Sequence, residues 1–242
     1  MEKIVEIGRN YFNKKVSGQV HFVDNKKTND LLNDIENNPH VYVLACLMDR
    51  QIKAEKAWVI PQKIFDILGT SDFNKLEKEP LEKFTSIFNE NNLHRFNNDM
   101  ANIFYSGIQD IKIKYSGKAS KIWLDKPSSA LVVYRFLEFK GCGIKIATMA
   151  SNILARQYKI EFSDYYSIDI SPDTHIMRVM NRMGYVPKGC SREMVIYKAR
   201  ELYPEFPGII DFPCWEIGRN WCKPSEPDCK NCIVKSDCKK DI

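Results

Sequence analysis

Residues 139–150, FKGCGIKIATMA, decide the fold. Apolar residues at helical spacing come before and after this stretch, which predicts the end of one helix, a turn and the start of a second helix. Gly141 and Gly143 stand one residue apart in the turn, where they allow the backbone to turn tightly and to approach a partner closely. The turn by itself also fits an ordinary pair of antiparallel helices.

The start of the second helix is a candidate phosphate-binding site. The first N–H groups of a helix have no partner within the helix, and the helix dipole adds partial positive charge there. The amides that follow Gly141 and Gly143 therefore predict a phosphate contact. Lys145 lies in the first turn, where the same field disfavours a cation and favours a neutral, nucleophilic amine. A solvated surface lysine is the alternative interpretation.

A carboxylate follows at Asp173 in the segment SPDTHIMRV, residues 171–179. Pro172 favours an extended conformation in the residue before it, and Asp173 is a suitable N-cap for a helix that ends at Gly184. Capping alone would account for this aspartate. A lysine and a carboxylate that converge on one pocket also suit glycosidic chemistry. The carboxylate would stabilise an oxocarbenium-like centre, and the amine would form a Schiff base with the sugar carbon.

The composition is that of a globular protein with a mild positive charge. The 242 residues include 36 Lys and Arg against 31 Asp and Glu, a net charge of +5, which permits a polyanionic partner without requiring one. The longest apolar run, VYVLACLM, is far shorter than the roughly 20 residues that span a bilayer. The charged N-terminus has no signal-peptide pattern. We therefore expect a cytoplasmic protein with no membrane partner.

Helical periodicity dominates the rest of the chain and predicts a mostly α fold. The segment GQVHFV, residues 18–23, alternates like a strand. Pro61 is expected to kink or divide the apolar segment around it. Asn98 and Asp99 are candidate N-caps for the long helical pattern that follows them. Residues 40–50, HVYVLACLMDR, fit either a core helix or a buried strand.

Four cysteines near the C-terminus are separated by six, two and five residues; they are Cys222, Cys229, Cys232 and Cys238. Disulfides are uncommon in the cytoplasm, so this context favours a metal site over a disulfide knot. A zinc module with four cysteines more often uses two C-x2-C pairs, whereas only Cys229 and Cys232 have that spacing here. Cys46 and Cys214 are interpreted as packed side chains. Cys142 lies in the hairpin turn, where many residues would serve, and Cys190 has no clear partner in the sequence.

Three motifs in this order resemble the endonuclease III-type helix-hairpin-helix DNA glycosylases. GCGIKIA, residues 141–147, resembles the family's hairpin, and DTHIMRV, residues 173–179, resembles the segment that follows it. WEIGRNWC, residues 215–222, and the cysteines that come after it resemble the family's C-terminal iron–sulfur loop. A weaker likeness in ACLMDRQIKAEKAW, residues 45–58, places Gln51 where the family has a glutamine that probes the duplex.

The resemblance implies further contacts with DNA. The hairpin residues Gly141, Gly143 and Ile144 would bind the phosphate backbone. The segment NNLHRF lies near the loop that supplies a second wedge residue in this family, which would be Leu93 or His94.

The fold implied by the resemblance is all-α and two-lobed: the helix-hairpin-helix glycosylase fold with a C-terminal iron–sulfur cluster loop at about 222–238. One lobe would be a helical barrel over residues 26–169 that includes the hairpin. The other would combine residues 1–25 with residues 170–242, and a DNA cleft would lie between the lobes. The four C-terminal cysteines would be the ligands of a [4Fe–4S] cluster.

The activity implied by the resemblance is that of a bifunctional DNA repair glycosylase with AP lyase activity. Lys145 matches the family's Schiff-base lysine, and Asp173 matches its catalytic aspartate. The substrate would be double-stranded DNA with a damaged or mismatched base, and oxidised pyrimidines and 8-oxoguanine are the leading lesions. The enzyme would be a cytoplasmic monomer, associated with the nucleoid in a prokaryote. A monofunctional mismatch or adenine-type glycosylase and a non-catalytic iron–sulfur DNA-binding protein are the alternatives.

The sequence departs from the family pattern between Lys145 and Asp173, which are farther apart than in the family. The extra segment contains Asp164 and Asp169, which compete for the role of the catalytic aspartate. Asp173 is preferred because Thr-His-Ile follows it.

Overall fold

The computed structural model describes residues 2–14 and 18–239, and throughout these residues the regular secondary structure is helical, without a β-strand. Two short 3₁₀ helices, Ala119–Ile122 and Pro207–Ile210, accompany the α-helices. The α-helices are α1 (Lys3–Asn13), α2 (Lys26–Asn33), α3 (Pro39–Met48), α4 (Ala54–Ala57), α5 (Ile60–Leu68), α6 (Phe73–Leu76), α7 (Leu81–Glu90), α8 (Asn97–Tyr115), α9 (Ser129–Leu137), α10 (Ile144–Arg156), α11 (Thr174–Arg182), α12 (Arg192–Leu202) and α13 (Asp211–Asn220). The predicted all-α class is confirmed. None of the helices in the described ranges is long and apolar enough to cross a membrane.

The chain forms two compact units. We call the unit that contains both chain ends the terminal unit and the other the central unit. The terminal unit comprises Met1–Lys15, Lys126–Val133 and Ala147–Ile242, and the central unit comprises Val16–Asp125 and Tyr134–Ile146. The lobe boundaries inferred from the sequence, at residues 25/26 and 169/170, stay a prediction.

The core of the central unit is built around α3. All ten residues of this helix are buried, which decides between the helix and the strand that its apolar run allowed. Gly107 on α8 permits a close approach to α3, because an added Cβ at this position would lie 2.8 Å from Leu47 and 3.2 Å from Leu44. The helix is therefore firmly anchored, and it fixes the position of the loop that follows Met48.

The core of the terminal unit is formed by α1, α11 and α13. Gly218 of α13 faces α11, where an added Cβ would lie 2.7 Å from the Cβ of His175. The apolar side chains of Val179, Met180 and Ile217 are fully buried on these two helices. This packing fixes α11, whose first turn carries Asp173.

The segment at residues 18–23 is not the strand that its alternation predicted. The side chain of Asn33 on α2 accepts a hydrogen bond from the backbone N–H of Val20 at 2.7 Å and donates one to the Val20 carbonyl at 2.8 Å. Asn29 likewise donates to the Val23 carbonyl at 2.7 Å. Two asparagine amides thus supply the partners that a neighbouring strand would have supplied.

The predicted helix break at Pro61 is found in the structure, whereas the predicted N-cap of α8 is not. Pro61 does divide its segment, because α5 begins at Ile60 and is separate from α4. The expectation that Asn98 or Asp99 caps α8 is wrong, since the helix already begins at Asn97. The side chain of Asn97 instead accepts a hydrogen bond at 2.8 Å from a backbone N–H in the preceding loop.

Candidate active site

The hairpin turn lies in the central unit, between the end of α9 and the start of α10. Gly141 has a φ of +79°, a left-handed conformation that favours glycine. A Cβ added there would lie 2.6 Å from Cδ1 of Ile103. The side chain of Lys140 donates to Asn102 at 2.6 Å and ties the turn to α8. Position 141 thus requires glycine for its backbone conformation and for its close packing.

Gly143 and Ile144 form an open surface at the start of α10. A Cβ added at Gly143 would meet no atom of the described chain within 4 Å. The side chain of Ile144 is 53% exposed. The surface at the start of α10 is therefore open at Gly143 and Ile144, as a phosphate-binding helix terminus requires.

Lys145 in the first turn of α10 forms an ion pair with Asp49. Its Nζ lies 3.3 Å from Oδ2 of Asp49, within the central unit. The side chain of Asp49 is 9% exposed, whereas that of Lys145 is 46% exposed. The lysine side chain is thus partly open to solvent, while that of its carboxylate partner is buried.

Sequence reasoning missed Asp49. The residue follows the last residue of α3, and its backbone N–H donates to the carbonyl of Cys46 at 3.1 Å. An acidic residue directly after a ten-residue apolar helix, two positions before Gln51, was the signal in the sequence that could have found it.

Gln51 lies on the exposed loop after α3. Its φ of +55° is uncommon for a residue other than glycine, and both Arg50 and Gln51 are exposed. This position is compatible with a side chain that enters a duplex. The predicted probing role of Gln51 stays a prediction.

The structure distinguishes between the two residues considered for the second wedge. His94 is 3% exposed, and its Nδ1 accepts a hydrogen bond from the backbone N–H of Phe96 at 3.2 Å. Burial lowers the pKa of His94. His94 is therefore a buried side chain of this loop. Leu93 is partly exposed and is therefore the better candidate for a contact with DNA. Whether Leu93 or His94 contacts DNA stays a prediction.

Asp173 is the N-cap of α11 in the terminal unit, as predicted. Its Oδ1 accepts hydrogen bonds from the backbone N–H groups of His175 and Ile176, both at 2.8 Å. The carboxylate is partly exposed. Asp173 belongs to the terminal unit and Lys145 to the central unit, and the catalytic roles of both stay predictions.

The two competing aspartates are engaged elsewhere in the terminal unit. Asp169 accepts hydrogen bonds from Nε and Nη2 of Arg200, both at 2.8 Å. Asp164 accepts a hydrogen bond from the hydroxyl of Ser129. Both carboxylates are thus bonded to side chains, whereas Asp173 bonds the backbone of α11, and the choice of Asp173 stays a prediction.

The four C-terminal cysteines line one cavity that is partly open to solvent. Its walls include the side chains of Val179, Ile217 and Trp221. All eight cysteines of the chain are thiols in the structure. Burial raises the pKa of the Cys232 thiol, and the other three cysteines of the cavity add to this effect through their charge. The four thiols are therefore close enough to influence one another.

The four thiols around this cavity are the donor set that a [4Fe–4S] cluster takes. Within residues 2–14 and 18–239, no three His, Cys, Asp or Glu side chains converge on one position that could hold a metal ion. A cluster takes one thiolate for each iron, so its ligands surround a cavity and do not meet at one point. Arg182 supports the wall, since its Nη1 donates to Lys223 O at 2.6 Å and lies 3.6 Å from Sγ of Cys222.

The loop around the cavity presents three lysines to solvent: Lys223, Lys230 and Lys235. All three are exposed, as expected for side chains that contact a polyanion. Cys214 is fully buried and lies outside the lining of the cavity, which agrees with its interpretation as a packed side chain.

The known proteins that this chain resembles include endonuclease III and several DNA glycosylases. No protein-family model matches the chain. Endonuclease III of Thermotoga maritima is 24% identical over 207 residues, which cover 85% of this chain and 85% of that protein.

Several solved structures share the fold. A trapped covalent intermediate of endonuclease III with DNA matches with a TM-score of 0.61 at 16% identity, covering 88% of this chain and 93% of that chain. A thermostable thymine-DNA glycosylase matches with a TM-score of 0.62 at 14% identity, covering 98% and 94%. The 8-oxoguanine glycosylase/lyase of Clostridium acetobutylicum, bound to duplex DNA with cytosine opposite 8-oxoguanine, matches with a TM-score of 0.56 at 14% identity, covering 75% and 60%. The predicted resemblance to the helix-hairpin-helix DNA glycosylases is confirmed, and the chain has their fold.

Proposed function

We propose that this chain, which has the fold of the helix-hairpin-helix DNA glycosylases, excises a damaged or mismatched base from duplex DNA and then nicks the strand as an AP lyase. The observation that carries the proposal is the position of Lys145. Its half-exposed side chain lies in the first turn of the helix that follows the hairpin, where the surface at Gly143 is open. An amine at a phosphate-binding terminus is suitably placed to react with a sugar carbon of the bound strand.

The proposed reaction has two stages. As the base departs, the electron pair of Nζ of Lys145 forms a bond to C1′ of the nucleotide, while Asp173 stabilises the developing positive charge on the sugar. The bond between C1′ and the ring oxygen then breaks, which opens the sugar ring and leaves an imine between C1′ and Nζ. The imine acidifies the protons on the neighbouring C2′. Removal of a C2′ proton expels the 3′ phosphate by β-elimination and nicks the strand.

Binding to DNA would rely on backbone contacts with little sequence preference. The helix N-terminus after Gly143 and the exposed lysines around the cysteine cavity would contact phosphates. A base flipped out of the stack leaves a gap, which Gln51 and Leu93 would fill from their exposed loops.

The four cysteines of the cavity would hold a [4Fe–4S] cluster. When bound, such a cluster supplies four iron–thiolate bonds that tie the C-terminal segment into one loop. The residues of this segment then hold their exposed lysines in place for the DNA backbone. The chemistry at the sugar is left to Lys145 and Asp173.

The substrate would be one of a few classes of damaged or mismatched base. Relatives that share this fold include an 8-oxoguanine glycosylase/lyase and a thymine-DNA glycosylase as well as endonuclease III. Oxidised pyrimidines and 8-oxoguanine are the leading substrates, with a mismatched base as the third. Action as a cytoplasmic monomer is part of the same proposal.

Borohydride trapping tests this function. The protein would be incubated with duplexes that each carry one lesion, with sodium borohydride present to reduce any imine to a stable adduct. We expect a covalent protein–DNA adduct with at least one lesion and its loss in Lys145→Ala. Lys140→Ala is the matched control, because Lys140 is an exposed lysine of the same hairpin whose amine bonds Asn102. A Lys145→Ala variant that is trapped as well as the wild type would contradict the mechanism.

A monofunctional glycosylase is the second candidate. The likeness to a thymine-DNA glycosylase over 98% of this chain favours it. Such an enzyme would release a base and leave an intact abasic site, so the same duplexes would lose the base without a nick and without a trapped adduct. A non-catalytic DNA-binding protein would bind the duplexes and release no base from any of them.

A further inference from the structure

We propose that Asp49 accepts the proton of Lys145 and so converts the lysine into a nucleophile. The inference rests on the proposed function and assigns a residue that the resemblance did not suggest. It depends on the contact between Oδ2 of Asp49 and Nζ of Lys145, which are 3.3 Å apart.

The position of Asp49 is fixed more firmly than that of an ordinary surface carboxylate. It follows a helix in which all ten residues are buried, and its backbone N–H is bonded to the last turn of that helix. Only 9% of its side chain is exposed. The carboxylate is thus presented at a fixed position to the amine of Lys145, whose own side chain extends to solvent.

The charge of Asp49 is unfavourable for simple DNA binding. A negative charge beside a phosphate-binding hairpin repels the backbone that the hairpin should attract. A carboxylate that is largely buried also costs free energy unless a cation or hydrogen-bond donor compensates for it. The ammonium of Lys145, 3.3 Å away, compensates for the buried charge, so the unfavourable effect on DNA binding is the cost that a role in the reaction would explain.

The proposed step begins with one proton transfer. A proton moves from Nζ of the Lys145 ammonium to Oδ2 of Asp49, which leaves the neutral amine and a carboxylic acid. The freed electron pair of Nζ forms the bond to C1′ of the nucleotide. The glycosidic bond breaks with its electron pair on the departing base, which takes up a proton from water. Asp49 later returns its proton to solvent.

Other ionisable groups near this pair keep one charge state around neutral pH. Burial raises the pKa of the Cys46 thiol far above its usual range and raises that of Cys142 to about 12, so both thiols stay neutral. Burial lowers the pKa of His94, so its ring is neutral at neutral pH. The charge of these three groups is therefore constant around neutral pH.

The test uses a duplex with a preformed abasic site, on which imine formation needs no base excision. Single-turnover trapping rates of the folded protein would be measured from about pH 6 to about pH 9 for the wild type and Asp49→Asn. We expect Asp49→Asn to be trapped about 100-fold more slowly near neutral pH and to recover about tenfold per pH unit, because hydroxide then removes the proton instead. A merely structural role would lower the rate equally at every pH.

Two further variants support the interpretation. Asp49→Glu keeps a proton acceptor and should retain most of the rate, and Asp49→Ser replaces Asp49→Asn if that variant does not fold. Asp110→Asn is the matched control, because Asp110 is a partly buried carboxylate of the same unit that pairs with Lys114 at 3.1 Å.

The outcomes separate this inference from the proposed function. If the wild type forms no adduct on the abasic duplex or on any lesion, the lyase function is wrong and the role of Asp49 is wrong with it. If the wild type is trapped and Asp49→Asn is trapped as fast or faster at neutral pH, the lyase function stands. Asp49 then only holds the ammonium in place, which overturns the inference.

Discussion

The backbone N–H of Ser171 donates to Oδ2 of Asp211 at 2.5 Å, so the first residue of α13 supports the loop that leads to Asp173. The hydroxyl of Ser171 lies 3.0 Å from that of Thr148 on α10 and anchors the same loop from a second side. Burial raises the pKa of Asp211 to about 6, and the charge of Asp173 contributes in the same direction. The position of the candidate catalytic aspartate is therefore linked to a second carboxylate that titrates near neutral pH.

Asp211 predicts a pH dependence of stability. Its pKa is about 6 in the folded protein and about 3.9 in an unfolded chain, so the folded state binds more protons between these values. The corresponding stability is fully present below about pH 3.9 and is lost as the pH rises through about 6. Because Asp211 is partly exposed, we expect a loss on the order of 1 to 2 kcal/mol. Urea unfolding of the wild type and Asp211→Asn at several pH values measures it.

Asp211→Asn should behave differently from the wild type across this range. The asparagine keeps an oxygen that can accept from Ser171 but has no charge to bury, so its stability relative to the wild type should rise with pH. A difference between the two proteins that is constant from about pH 4 to about pH 7 would mean that Asp211 does not titrate in this window.

Two aspartates of the terminal unit should separate chemistry from stability. Asparagine caps helices about as well as aspartate, so Asp173→Asn should keep the stability of α11 and lose base release by about 100-fold or more. Asp169→Asn removes one of the two carboxylate oxygens that accept hydrogen bonds from Arg200. The free energy of unfolding should fall by about 1 to 2 kcal/mol, with little effect on catalysis. Thermal unfolding and single-turnover base release measure the two effects. The opposite pattern would assign the chemistry to Asp169.

The hairpin glycines should also separate two properties. Gly141→Ala should destabilise the protein by about 1 to 2 kcal/mol, because alanine is disfavoured at a φ of +79°. Gly143 has open space around its Cα, so Gly143→Ala should cost about 0.5 kcal/mol and instead weaken DNA binding about tenfold by obstructing the approach of a phosphate. Unfolding curves and fluorescence anisotropy at one fixed salt concentration give the two values. Equal DNA affinities for Gly143→Ala and the wild type would exclude a phosphate contact at this turn.

The features that could be predicted from the sequence are local. The hairpin, the cap at Asp173 and the division at Pro61 each depend on residues within a few positions of one another, and the structure contains all three. The strand predicted at residues 18–23 failed because the asparagines that bond its backbone lie on the next helix, outside the alternating pattern.

The features that could not be predicted depend on tertiary contacts. Asp49 and Lys145 are 96 positions apart, and the residues around each of them do not predict that the two form an ion pair. The burial of His94 is likewise set by the packing of its loop, whereas the sequence of that loop is polar enough to suggest exposure. Distances of this kind are fixed by the core around α3, which the sequence indicates only as an apolar run.

Cys229→Ser tests the cluster and its structural role together. Removal of one thiolate from the cavity should abolish cluster binding, so the protein should lose its visible absorption and its iron and sulfide content. The cavity lies against Val179 and Ile217, whose helices pack in the core of the terminal unit, so loss of the cluster should cost more than about 3 kcal/mol of stability. Cys190→Ser is the matched control, because Cys190 is a partly exposed cysteine outside the cavity. Stoichiometric zinc in the wild-type protein, or a colourless Cys229→Ser variant with unchanged melting temperature and full activity, would overturn the assignment of a structural iron–sulfur cluster.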